Sequence, residues 1–146
     1  MRDQTELQAF LEQCSVDDDV FALRPDYRAM LVAVDGIEPG GTDAEAEELL
    51  ARADAHAAEQ LSAAPVEELP RVTAWREAYR AFGAKPQRTR NSLESLLRRA
   101  AADGLPRVNR LTDLYNAVSV LHGIPLGGED LDRYAGTARL VRATGD

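Results

Sequence analysis

Cysteine and histidine are scarce in this chain of 146 residues, and each shortage removes a class of function. Cys14 stands alone, so no intramolecular disulfide can form, and with only His56 and His122 a zinc site of the Cys/His type lacks its ligands. Neither a metal nor a cofactor is expected. No apolar run approaches the ~20 residues that a membrane span requires, and no charged-then-apolar leader opens the sequence. A cytoplasmic protein without membrane association is the expectation. There is also no Gly-x-Ser-x-Gly elbow, and His122 falls at a helix end as an expected C-terminal cap or exposed residue, which argues against nucleophilic catalysis.

What the chain does have is apolar content and an uneven charge. Hydrophobic residues make up 45%, and a chain of this length can bury roughly two thirds of its unfolded surface, enough for one domain with a sizeable core. The net charge of −8 argues against a nucleic-acid partner when taken as an average. Along the chain it divides steeply. Residues 1–70 hold 4 arginines against 17 acids, a balance of −13, whereas residues 71–110 hold 10 basic residues against Glu77, Glu94 and Asp103, a balance of +7. Residues 111–146 add 3 against 5, a balance of −2. The basic block is either an anion-binding face or the half of the fold that pairs with the acidic half; pairing is the commoner fate and the preferred reading.

The elements read as mixed α and β. Phe21–Leu23 and Arg28–Asp35 (RAMLVAVD) are β-prone and meet across the turn-forming Pro25-Asp26, predicting a hairpin or two sequential strands. Thr42 or Asp43 opens a helix to about Leu61, with Glu45, Glu47 and Glu48 where the helix dipole favours acids. Its apolar positions are mostly Ala, so it is predicted to be peripheral. In VTAWREAYRAFG, Trp75, Tyr79 and Phe82 recur at helical spacing before Gly83. Beside Arg76 and Arg80 such a stripe could stack bases, but a core role for Trp75 and Phe82 is the commoner outcome.

A basic connector, Lys85-Pro86 with Arg88–Arg90, leads to a helix capped by Asn91 or Ser92, with Leu93, Leu96, Leu97 and Ala100 toward the core and Gly104 ending it. Arg98 and Arg99 sit on its last turns, where cations also suit the dipole. The next helix, about Asn109 to His122, carries Leu111, Leu114, Tyr115, Val118 and Leu121 on one broad face. Asp113 and Asn116 share a face, either as local hydrogen-bonding caps or with Asn116 projecting into a pocket. Gly127-Gly128 suits close backbone approach to a ligand or to another segment. The two helices around Asp103-Gly104-Leu105-Pro106 also fit a helix-turn-helix DNA reader, a reading ranked last because the second helix offers few base-reading side chains.

Taken together, Arg107-Val108-Asn109, Thr112-Asp113-Leu114-Tyr115-Asn116, Gly123-Ile124-Pro125, Asp130-Leu131 and Leu140-Val141-Arg142 resemble, in order, the B3/B4 domain of the phenylalanyl-tRNA synthetase beta subunit. The chain is similar still more closely to free-standing B3/B4-domain proteins, through Trp75-Arg76-x-x-Tyr79, Phe82-Gly83-x-Lys85-Pro86, Ser92-x-Glu94 and Gly127-Gly128-x-Asp130-Leu131. The resemblance implies an α+β, B3/B4-like fold in which a mixed sheet packs with several helices. Residues 20–146 would form that domain, cut short at its C-terminal side, after an N-terminal extension over residues 1–19. An open sheet edge would then favour self-association.

In the synthetase this domain hydrolyses mischarged tRNA, so the resemblance implies tRNA or aminoacyl-tRNA as partner and an editing-like deacylase acting in trans. The alternative is a tRNA- or protein-binding module that has lost editing. Asn116 matches a pocket asparagine, Tyr115 falls where a small hydroxyl residue is usual, and Gly127, followed by Gly128, takes the place of the pocket histidine. That leaves no side chain there to hydrogen-bond a substrate or relay a proton. A positioned water and the amides around Gly127-Gly128 would have to suffice. The candidate substrate-binding set is thus Tyr115, Asn116, Gly127 and Gly128, and the candidate nucleic-acid-binding set is Arg76, Arg80, Lys85, Arg88, Arg90, Arg98 and Arg99. No catalytic residue is assigned.

Overall fold

The computed structural model describes residues 2–144 and divides into two compact units, one formed by residues up to Glu38 with those from Asp130 on, the other by Pro39–Glu129. In the first unit, α1 (Gln4–Gln13) starts with a capping box in which Asp3 accepts from the Glu6 amide and Glu6 from the Asp3 amide. β1 (Ser15–Val16) follows and pairs in parallel with β2 (Arg139–Leu140), and α2 (Asp18–Leu23) comes between them in sequence. The Arg139–Asp17 ion pair at 3.0 Å and an edge-on contact of Phe10 with Tyr134, 6.0 Å between centroids, tie its segments together. No side chain of this unit is buried among the described residues.

Two expectations fail here. Phe21–Leu23 is the end of a helix, not a strand, because Asp17, Asp18 and Asp19 place three carboxylates at a helix N-terminus, where the dipole favours them. Residues 28–35 form no strand, since β-propensity becomes a ladder only where a partner supplies the cross-strand hydrogen bonds, and none does so among the described residues. Met30 and Val32 are left 88% and 74% exposed. The sheet therefore has two strands among the described residues, and the architecture is α+β but mostly helical.

In the second unit α3 (Ala44–Ala63) is capped by Asp43, whose carboxylate accepts from the Ala46 amide. A 3-10 turn at Val66–Glu68 leads to α4 (Pro70–Ala81), with Pro70 at its first turn, then to α5 (Ser92–Ala102) and α6 (Arg110–His122). The predicted peripheral place of α3 is wrong. Ala46, Leu50, Ala53 and Ala57 recur at spacings of four and three and are fully buried, packed chiefly against α6 and then α5. Alanine makes a narrow stripe but lets helix axes approach closely, so a thin face becomes the tightest one.

The buried side of α6 differs from the predicted face for the same reason. Ala117 and Val120 enter the core with Asp113 and Ser119, while the bulkier Leu111 is 45% exposed and Tyr115 and Val118 are half-buried. Leu93 and Leu97 of α5 join Val66, Val72 and Leu105 to complete the core, with Leu96 and Ala100 packed against it. No helix among the described residues is long and apolar enough to cross a membrane.

Candidate nucleic-acid interface

Glu94 lies in the first turn of α5, where Asn91 caps the helix by accepting from the Glu94 amide at 3.0 Å. Its side chain is fully buried, a costly place for a carboxylate unless cations share it. They do. Oε1 accepts from Arg76 at 2.7 Å and from Arg98 through Nη2 at 2.9 Å and Nε at 3.0 Å, with Arg90 at 3.6 Å. Arg98 also reaches Glu67 at 3.1 Å, and the backbone amide of Glu67 together with Arg98 holds that carboxyl below the usual range. Oε2 has no protein partner among the described residues. Three of the seven candidate nucleic-acid ligands are therefore committed to one internal carboxylate.

The remaining four are free to act outward. Arg80, Lys85, Arg88 and Arg99 are exposed and enter no ion pair among the described residues, and neither does Arg71. Arg80 and Arg99 occupy the last turns of α4 and α5, where the dipole gives them a local reason to be. Lys85 and Arg88 have no such reason. They belong to the connector between these helices, a turn in which the amides of Arg88 and Thr89 both donate to the Lys85 carbonyl and Pro86 is buried. Arg107 and Arg110, by contrast, meet the acidic half. Arg107 binds Glu47 at 2.9 Å, and Arg110 binds Asp43 at 2.6 Å and Glu45 at 2.7 Å. The basic block thus divides between the two readings of its charge, and Arg71 is an exposed cation of it that the motifs do not single out.

Aromatic placement also departs from expectation. Trp75 is half-buried rather than fully enclosed, and Phe82, the C-cap of α4, is 43% exposed. The stripe runs one residue past Ala81, the last helical residue of α4. Tyr79 stays close to Phe82, 4.9 Å between ring centroids at an angle of 51°, and burial pushes the Tyr79 phenol up.

On α6 the two polar residues part company. Asp113 is fully buried and accepts from the Thr42 hydroxyl at 2.5 Å and the Val108 amide at 2.8 Å, fixing the loops that precede α3 and α6. Asn109 adds the helix cap, accepting from the Thr112 amide. Asn116, three residues after Asp113, is half-buried, and its side chain forms no hydrogen bond among the described residues. Tyr115 packs on Gly128 so closely that a Cβ there would lie 3.4 Å from the ring, whereas the corresponding position at Gly127 is open. Tyr115 and Gly128 are thus brought together, and Gly127 follows them only through the chain.

No motif of the sequence points to Ser119, yet it is buried and donates to the Ile124 carbonyl across the Gly123 cap, which has φ +64°. Only its place on a helix end among apolar residues could have signalled it. Among the surface concavities of the described residues are one of about 410 Å3 beside Val16–Asp19 and one of about 350 Å3 walled by Leu61, Pro65, Val66, Glu67, Arg98 and Ala101. Neither is lined by Tyr115, Asn116, Gly127 or Gly128.

A family model, the B3/4 domain, matches residues 74–146, half of the chain. The chain belongs to the B3/4 domain family. This is the domain type of the phenylalanyl-tRNA synthetase beta subunit, as the motifs of α5, α6 and the Gly-Gly turn lead one to expect. Neither a curated protein nor a solved structure gives a significant match. Within this B3/4 chain the matched region takes in the Glu94 cluster, the connector, the polar face of α6 and β2.

Proposed function

We propose that this B3/4 protein binds tRNA, aminoacyl-tRNA included, through phosphate contacts from Arg80, Lys85, Arg88 and Arg99, while Arg76, Arg90 and Arg98 build the surface that carries them. The observation behind this reading is the uncompensated charge of Lys85 and Arg88 on a chain of net charge −8. A protein with so many acids nearby has ion-pair partners to offer, as Arg107 and Arg110 demonstrate, and these two cations take none among the described residues. Cations held on a hydrogen-bonded turn and left without an ion pair among the described residues suit the release of condensed counterions from nucleic acid.

The test is a salt titration of tRNA binding. For the wild type, log affinity falls linearly with log salt, and Lys85→Ala combined with Arg88→Ala flattens the slope by about 0.9 for each phosphate that is no longer neutralised. An unchanged slope in that variant would remove the connector from the interface, and a wild type whose tRNA binding ignores salt would end the reading.

Hydrolysis of a mischarged ester is the second reading, supported by the uncommitted amide of Asn116 and the open side of Gly127. With no histidine at position 127, a water held by Asn116 and by backbone amides would carry the attack, and oxyanion stabilisation would come from N–H groups. Deacylation assays on tRNA charged with a noncognate amino acid decide it. Asn116→Ala should abolish the release while leaving tRNA affinity intact, and a wild type that binds such tRNA without deacylating it rules hydrolysis out.

A further inference from the structure

We infer that Phe82, backed by Tyr79, is a stacking platform for unpaired nucleotides of the RNA, with Lys85 and Arg88 holding the adjoining phosphates. The inference rests on the tRNA-binding reading and adds to it a site and a ligand class, single-stranded RNA. Phe82 is a large aromatic residue that is 43% exposed, at the point where α4 ends and the chain turns into the connector. Its neighbour Tyr79 leans on it at 4.9 Å, a contact that limits the ring's freedom and so lowers the entropy lost when a base settles on it.

The chain around the ring is arranged to keep it accessible. Gly83, with φ +90° and nothing within 4 Å of where a Cβ would stand, reverses the backbone immediately after Phe82. The Ala84 amide donates back to the Tyr79 carbonyl at 2.9 Å, so the connector is pinned to the helix end that carries the two rings. Lys85 follows Phe82 by three residues, at most about 11 Å along the backbone, and Arg88 closes on Lys85 by a 2.8 Å amide-to-carbonyl bond.

An aromatic face with unpaired cations one turn away is the combination that sequence-tolerant single-strand binders use, because every base offers a π-face and every nucleotide a phosphate. An apolar protein partner would have no use for Lys85 and Arg88. Duplex RNA, with its bases already stacked, would use the cations and ignore the ring.

The experiment measures the full-length protein's affinity for a labelled oligouridine and for an RNA duplex of equal length. Wild type, Phe82→Ala, Phe82→Tyr and the Lys85→Ala, Arg88→Ala double variant are compared. Phe82→Ala should lose about 5- to 150-fold in affinity for oligouridine, with its salt slope and duplex affinity retained. Phe82→Tyr, which keeps the ring, should restore affinity to within about twofold of wild type, and this rescue excludes a folding defect. The double variant should weaken both RNAs and flatten both slopes.

Equal losses for the two RNAs in Phe82→Ala, or no loss on oligouridine, would overturn the stacking site while leaving tRNA binding standing. If wild type binds neither RNA nor tRNA, or only another protein copy in a salt-insensitive way, the underlying reading falls and the stacking site with it.

Discussion

Arg76, Arg90 and Arg98 crowd onto Glu94, while Lys85 and Arg88, within fourteen residues of all of them, touch no carboxylate among the described residues. Both groups belong to the basic block of residues 71–110, and no difference in side-chain chemistry separates one arginine of it from another. What separates them is a single acid placed at a helix N-terminus, under the cap of Asn91, where the folding of α5 carries it inside. A buried carboxylate must be neutralised, so it draws every cation within reach. Charge that is structural and charge that is available to a ligand can therefore alternate along one segment.

The largest expected effect tests the structural side of that contrast. Glu94→Ala leaves three guanidinium groups with only Glu67 for company and should cost about 3–5 kcal/mol in urea unfolding, as breaking a buried ion pair does. A loss under about 1 kcal/mol would mean that the cluster is decorative, in the range of exposed pairs. Arg76→Ala comes next, since Arg98 and Arg90 stay to neutralise Glu94; a loss of about 1.5–3 kcal/mol is expected for a hydrogen bond to a charged group. Lys85→Ala and Arg88→Ala should change unfolding free energy by less than about 0.5 kcal/mol even though they weaken RNA binding. If either destabilises the fold as Arg76→Ala does, the division into two populations is wrong.

The smallest effect lies in acid. The Ala46 amide and Arg110 lower the carboxyl of Asp43, and Arg107 lowers that of Glu47. Groups whose folded value lies below the unfolded one, near pH 4, stabilise the fold above that pH and lose the contribution as pH falls through the folded value. Stability should decline on acidification below about pH 4, and Glu47→Gln should flatten that decline slightly. Both carboxylates are solvent-exposed, which keeps the effect small.

In the second unit helices were legible where local chemistry decides, whereas α1, despite its capping box, and α2 were not read as helices. Asp43, Asn91 and Asn109 cap α3, α5 and α6 as Asx residues at helix starts do, and Gly104 and Gly123 end α5 and α6 with positive φ. The strands were not legible, because RAMLVAVD has the side chains of a strand and no partner, a condition that no local pattern reports. Packing faces were misjudged for a related reason. Hydrophobicity ranked Leu111 above Ala117, but close helix packing prefers the smaller residue. Among the candidate site residues, Tyr115 and Gly128 do meet, while Asp113, named with Asn116 as a polar pair, turned out to hold the loops together.

By itself the sequence determined the family, the starts of α3, α5 and α6 and the presence of ten basic residues in forty positions, because ordered motifs, caps and charge are written residue by residue. Only the tertiary structure decided which of those cations face outward. That choice depends on where a buried carboxylate lies relative to each arginine, a distance of a few ångströms set by how α4 and α5 pack and not by how far apart their residues stand in the chain.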